Sequence, residues 1–599
     1  MAIFLARLRP AWLAFAAMIA AFAQPACAQV RSMGIDDVLV MKSFGEVSIS
    51  PDGARLVYER RGSFASAPRF DLGHRSVWQI TDLFVVDLEP LSAPRRLLPA
   101  GAAVGVVLGP WSPSGRRLAV YRLVGDCLEV GIVDPVSGAA DWTGVTPDLP
   151  MTGSGVEWRD DDRLLVSARE APGLPWILSR DGASQAETTT LWRRAADGRS
   201  PSATVVDTRG GIARSQDASD RQRLVEIDAR DGRVRQLLED RILDLAVSPD
   251  GNALAVLVSA NTVPADPGPA RAHALQARGR IRLFDLPSGR QTGVADDDVA
   301  PHLLRWSATS DALLVWGREV GRSWAEGGLR RIGRNGSTIP MRLDGLLASP
   351  DGVMVDELRS VQADWIGSRA VLRARRPGSE RFDWYGVDPD RPPILLTGDL
   401  SGSSRGLSAV GDQSALLFGE RGLWRLGRFG AVRLTAPDHE VSDASVISAM
   451  QPLRLRINAT PRRGWVAARQ AGGEIEILGS EGAGSRFKPP VLTGGSFLAA
   501  VSRDAAVVLR RRQGAEILMI DQGRGMVVLD EVNASMAALG FAEPLPVSHR
   551  DRLGRETRSW LTMPLNKSAG SVKGVVLNIY PGSSGGEAWI DPRVLLYGL

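Results

Sequence analysis

The sequence predicts a mainly β chain, a seven- or eight-bladed β-propeller followed by the beginning of an α/β domain. Three observations predict it. One hairpin turn recurs along most of the chain. A second turn type recurs further along each unit. Near the C-terminal end an uninterrupted apolar strand runs into a Gly/Ser turn. At 599 residues the chain exceeds one ordinary core, and a hydrophobic fraction of 44% without long polar tracts marks a folded protein rather than a disordered one.

The first turn type is carried by VSISPDGARLVYER (47–60), GPWSPSGRRLAVYR (109–122), EWRDDDRLLVSAR (157–169), LAVSPDGNALAVLV (245–258), LRWSATSDALLVWG (304–317), LASPDG (347–352), SAVGDQSALLFG (408–419) and AAVSRDAAVVLRR (499–511). In each, an apolar strand meets a Ser/Pro/Asp/Gly turn and a second, alternating strand follows. Pro presets φ at the first corner, Asp bonds its own backbone, and Gly accepts the left-handed corner. The second turn type ends a strand in Asp and continues through a Gly-containing turn: LFVVDLEPLSAPRRLL (83–98), VGIVDPVSGAADW (130–142), LVEIDARDGRVRQLL (224–238) and LFDLPSGRQTGV (283–294). Two hairpin turns per unit of roughly 40–60 residues make a four-stranded blade, and radial stacking leaves only short edges. Sandwich domains would not repeat one turn at blade spacing. The stretches 170–245 and 353–405 are poorly patterned.

Before the repeats, Arg7 and Arg9 precede an apolar run from Ala11 to Phe22 and the small-x-small site Ala26-Cys27-Ala28. This reads as a secretory signal peptide over 1–28, cut after Ala28. Gln24 and Pro25 argue against a lipid-anchored Cys27. No other stretch is long and apolar enough to span a bilayer, so the mature protein is expected to be exported to the periplasm. Loss of the leader lowers the formal charge from +4 to +2, because it holds two arginines and no acid. It also leaves Cys127 as the sole cysteine, expected to be a buried small hydrophobe. Arginines are interspersed with acids, which excludes a nucleic-acid-binding stripe. His74, His273, His302, His439 and His549 are isolated and no Cys pair exists, so no zinc site is predicted. No P-loop or dinucleotide fingerprint occurs, and no cofactor is expected.

At the C-terminal end, LPVSHR (545–550) and RSWLTMP (558–564) flank a DRLGRE turn and predict a hairpin. GVVLNIY (574–580) reads as a buried strand, and PGSSGG follows as a flexible turn. SPDG-type blades followed by such an entry resemble the prolyl oligopeptidase family of serine peptidases, with an α/β-hydrolase domain after the propeller. MGIDDVLVMKSFGEVSISPDG (33–53) looks like the helix and first blade that open those enzymes. YERRGSFASAPRFDLGHRSVW (58–78), LGPWSPSGRRLAVYRLVGD (108–126), WTGVTPDLP (142–150) and QAETTTLWRR (185–194) are similar to the lasso peptide isopeptidase branch.

The resemblance implies domains of 29–540 (N-terminal segment and propeller) and 541–599 (incomplete hydrolase). It also implies hydrolysis of the isopeptide bond of a lasso peptide, a peptide partner, and a propeller that limits entry to compact substrates. Tyr580 matches the place where several branches set an oxyanion donor. Two strings fit G-x-S-x-G, Gly582–Gly586 and Gly402–Gly406, but neither has the strand–turn–helix context with later Asp and His. After Ser584 only Glu587 and Asp591 are acidic and no His follows. Nucleophile, acid and base are therefore assigned to no residue here, and the chain ending at Leu599 is expected not to turn over. Arg69, Asp71 and Arg75 fit an interblade salt-bridge cluster better than a substrate mouth. The rival readings are an acylaminoacyl- or dipeptidyl-peptidase of the same family, and a non-catalytic peptide-binding propeller.

Overall fold

The structure, a computed structural model, describes residues 31–99, 105–149, 153–199, 221–262, 277–293, 298–300, 303–319, 326–348, 361–404, 406–436, 441–444, 465–470, 475–479, 496–512, 514–540, 545–550, 552–561, 563–565 and 569–575. The chain divides into two compact units. The larger comprises Lys42–Arg510 and Ile517–Glu531, the smaller Met1–Met41, Arg511–Glu516 and Val532–Leu599.

The larger unit is a β-propeller built from successive antiparallel meanders: sheet 1 (43–96), sheet 2 (105–142), sheet 3 (156–240), sheet 4 (242–293), sheet 5 (298–340), sheet 6 (347–395), sheet 7 (407–433), sheet 8 (441–479) and sheet 9 (496–532). The larger unit's described sheets number nine, against the seven or eight blades expected from the recurring turns. Sheet 8 carries no recurring turn motif in its sequence after its first strand. Residues 445–464 separate Val441–Ala444 from Trp465–Gln470, so no turn signal marked it. In sheet 6 Ala363–Ile366 pairs with Arg369–Arg375 through Ile366↔Arg369 around Gly367, and the SPDG of 349–352 lies outside the described residues. Of that motif's stretch only Leu347 and Ala348 are described, as a short strand pairing Arg375 and Ala374.

The turns form as their residues dictate. In sheets 1, 2, 4 and 5 a serine after the first strand (Ser50, Ser112, Ser248, Ser307) donates its N–H to the carbonyl five residues on. Each serine hydroxyl also accepts the N–H of that same later residue. Asp52 and Asp250 accept the N–H two residues ahead at 3.0 Å, as Asx turns do. Gly53, Gly115 and Gly251 take φ of 74°, 78° and 69° at the left-handed corner, where Ser310 stands in sheet 5 with φ 61°.

Each sheet from 1 to 8 shares an apolar layer with the next. Val57 and Val85 meet Leu118 and Val120 between sheets 1 and 2, and Leu257 and Ile281 meet Trp306 and Leu313 between sheets 4 and 5. The last described layer sets Ile477 against Leu498 and Val508. First strands pack beside first strands from sheet 2 to sheet 7, Trp465–Gln470 of sheet 8 lies beside the first strands of sheets 7 and 9, and Ser43–Ile49 of sheet 1 lies beside Ser496–Val501 of sheet 9. Outer strands such as Arg290–Gly293 and Ile394–Leu395 are exposed. First strands are therefore innermost, and the sheets close into a ring. Among the described residues each sheet of the larger unit is made of strands consecutive in the chain, and no strand pairing joins the last to the first. Side chains do this instead. Tyr58 Oη donates to Asp530 Oδ2 at 3.0 Å, Arg60 lies 3.4 Å from the same carboxylate, and Gln522 Nε2 donates to the Leu88 carbonyl at 2.9 Å.

The smaller unit is described in short pieces. Helix α1 (Ile35–Val40) is capped by Asp37, which accepts the Gly34 N–H at 2.8 Å and pairs with Arg31. Arg31–Ser32 pairs in parallel with Leu539–Gly540, so segments from before and after the ring meet in one unit. Leu545–Arg550 and Glu556–Leu561 form the hairpin that the sequence predicts, in register His549↔Thr557.

Candidate functional site

Near the end of the first strand, sheets 2, 3, 5 and 6 each carry a tryptophan: Trp111, Trp158, Trp306 and Trp365. Each indole N–H reaches back to the residue that precedes the equivalent position in the previous sheet. Trp158 donates to Pro110 O, Trp306 to Ala246 O and Trp365 to Arg305 O, all at 2.8 Å, and Trp111 donates to Ser48 Oγ at 3.0 Å. A buried indole finds a partner for its N–H while its ring fills the layer. Sheets 1, 4, 7 and 9 place β-branched Ile49, Val247, Val410 and Val501 there.

The position just before these residues holds Ser48, Pro110, Glu157, Ala246, Arg305, Asp364, Ala409 and Ala500. Its charges are confined to sheets 3, 5 and 6. Arg305 Nε lies 3.6 Å from Asp364 Oδ2, both buried, and Asp364 Oδ1 accepts the Trp365 N–H at 2.8 Å. Asp244 accepts the N–H of Ser154 at 2.7 Å and of Leu245 at 2.9 Å. Glu59 accepts the N–H of Leu108 at 3.0 Å and of Glu46 at 3.1 Å, and pairs with Arg61 at 3.1 Å. These buried carboxylates are held by backbone donors or guanidinium groups from neighbouring strands and sheets. Their chemistry is that of struts that fix strand ends, since a buried charge must be paired and hydrogen-bonded.

The residues singled out by sequence fall as follows. Tyr580 and the Gly582–Gly586 string lie outside the described residues, as do the leader with Cys27 and the side chains of His273, His302 and His439. Of the predicted strand 574–580, Gly574 and Val575 are described, without strand structure. His549 is on the exposed Leu545–Arg550 strand. In the Gly402–Gly406 string, Ser404 is fully buried and structural. Its Oγ donates to Phe382 O at 3.2 Å, and its own carbonyl accepts Arg373 Nη2 at 2.6 Å. Ser403 Oγ accepts the Phe382 N–H at 3.1 Å.

Arg69 bridges Asp71 and Asp126, tying the connection inside sheet 1 to a turn of sheet 2. These bonds push the Arg69 guanidinium further up, and Arg69 holds Asp71 below the usual carboxylate range. The salt-bridge reading of this cluster therefore holds for Arg69 and Asp71. Cys127 is half-buried rather than buried, its Sγ 3.6 Å from Thr146 Oγ1. Among the described residues no group of His, Cys, Asp and Glu is placed to hold a metal ion. No described helix is long and apolar enough to cross a membrane. Sequence reasoning missed the tryptophan contacts, although a Trp just before the turn in GPWSPSG, EWRDD, LRWSATS and ADWIGS is a readable signal for them.

No family model matches the chain, and no curated protein does. Solved structures do. A prolyl endopeptidase is similar at 14% identity over 68% of this chain, with a TM-score of 0.33. The chain spans 52% of that enzyme's length. Dipeptidyl peptidase 4 of Porphyromonas gingivalis is similar at 10% identity over 90% of this chain and 66% of its own, with a TM-score of 0.43. The AtxE2 isopeptidase is similar at 13% identity over 91% of this chain and 61% of its own, with a TM-score of 0.28.

Proposed function

We propose that the protein is an exported serine peptidase of the prolyl oligopeptidase family that opens lasso peptides by hydrolysing their isopeptide bond. One observation supports this reading above the others. A ring of meander sheets is bounded by segments that pair with each other in a separate unit, Arg31–Ser32 with Leu539–Gly540, and that unit runs on into GVVLNIYPGSSGG. A free-standing binding ring needs no such unit. The reaction is acyl transfer to a serine followed by attack of water, with Tyr580 donating its phenol to the tetrahedral oxyanion. Nucleophile, acid and base are not assigned to residues of this sequence.

A serine-reactive phosphonate tests this. A version of the protein that carries a complete hydrolase domain is expected to be labelled, and Tyr580→Phe in it is expected to slow labelling by about 10²-fold, the cost of losing one oxyanion donor. An unlabelled wild-type protein favours the binding-propeller reading. Labelling at an unchanged rate in the variant removes Tyr580 from the oxyanion site.

A further inference from the structure

We propose that the exposed rim of sheets 6 and 7 binds a lipid surface bearing anionic headgroups. Phe429 stands at the tip of the turn between Gly422–Leu426 and Ala431–Arg433 and is 82% exposed. The turn is closed by Gly427 N–H donating to Gly430 O at 2.8 Å, which holds the ring out on a fixed backbone. The guanidinium carbons of Arg369 and Arg428 lie 5.7 and 6.0 Å from its centroid. Arg369 Nη1 donates to the Arg428 carbonyl at 2.7 Å, which ties the turns of the two sheets together. Neither guanidinium has a carboxylate partner among the described residues.

Beside this tip the outer strands expose Val432, Ile394 and Leu395. The Leu396 carbonyl lies 4.0 Å from where a Cβ would stand on Gly430, so tip and outer strands form one patch. The patch is thus apolar at its tip and edges with unpaired cations between. An aromatic tip and aliphatic side chains enter the headgroup–acyl boundary while arginines meet phosphates. An acidic peptide would engage the arginines but leave the exposed aliphatics uncovered.

Co-sedimentation with vesicles tests this. The protein is expected to bind phosphatidylglycerol–phosphatidylcholine vesicles, not phosphatidylcholine alone, and binding is expected to weaken with salt. Phe429→Ala should lower partitioning by about tenfold or more, and Arg369→Gln with Arg428→Gln by about fivefold per charge. Phe429 and Arg428 are exposed and Arg369 is half-buried, and unchanged circular dichroism confirms the fold. Failure to bind, equal binding to both vesicle types, or undiminished binding by both variants overturns the proposal. Capture of an acidic peptide without vesicle binding also overturns it.

Discussion

Trp365 joins two sheets through one proton. Its Nε1–H meets the Arg305 carbonyl at 2.8 Å inside the layer between sheets 5 and 6. Phenylalanine there would keep most of the apolar area and strand a buried carbonyl, at a cost of about 1–3 kcal/mol. Trp111 is a natural control, because its partner is the half-buried hydroxyl of Ser48, which can turn to another partner. Trp365→Phe is therefore expected to lower the denaturant midpoint clearly more than Trp111→Phe. Equal shifts would show that ring packing, not the hydrogen bond, dominates. At this scale local chemistry was legible in the sequence. The Ser, Asp and Gly of the SPDG turns bond as their types require, because each partner lies within five residues. Long-range partners were not legible: nothing within a few residues of Tyr58 announces Asp530, 472 positions away.

The repeated hairpin is one element in several settings, and substitution separates its intrinsic strain from its surroundings. Gly53 and Gly251 hold the same left-handed corner, but a Cβ on Gly53 meets nothing within 4 Å, whereas one on Gly251 comes 2.7 Å from the Arg159 carbonyl. Arg159 in turn donates to the Gly251 carbonyl at 3.1 Å. Gly53→Ala should cost about 1 kcal/mol, the left-handed penalty alone. Gly251→Ala should cost about 1–3 kcal/mol more, because sheet 3 must shift. Thermal unfolding of the two variants would measure the difference, and equal losses would mean that sheet 3 yields freely. The turn pattern showed where most sheets begin, but it failed where geometry departs from it. In sheet 8, 20 residues separate Val441–Ala444 from Trp465–Gln470, and none of the recurring turn strings falls among them. Sheet 3 inserts helix α2 (Trp176–Ala196) between its second and third strands, so 170–245 is poorly patterned.

For the whole molecule, closure of the ring is the point most exposed to solution conditions, because among the described residues it is packing and side chains that join sheet 9 to sheet 1. Burial first, and then the neighbouring charge of Asp530, push the Tyr58 phenol up from its ordinary value. A group whose folded pKa is raised contributes stability that is present below its unfolded pKa and lost above it. Stability should therefore fall as pH rises past about 10, where the unfolded phenol ionises while the folded one cannot. Tyr58→Phe should be less stable than wild type at neutral pH and should show a shallower alkaline decline. Parallel declines in the two proteins would remove Tyr58 from the seam.

The overall fold was legible because hairpin turns are local. The proposed catalytic role of Tyr580 rests on a resemblance, since chemistry of that kind depends on residues brought together by a fold rather than on spacing. The proposed activity is tested most directly by incubating a version of the protein that carries a complete hydrolase domain with a threaded lasso peptide and with its linear counterpart, followed by mass spectrometry. The account predicts that the threaded peptide gains one water at its isopeptide bond and that the linear one is cut far more slowly. Preferential cleavage of the linear peptide, with the threaded one left intact, would contradict it and point to an acylaminoacyl- or dipeptidyl-peptidase instead.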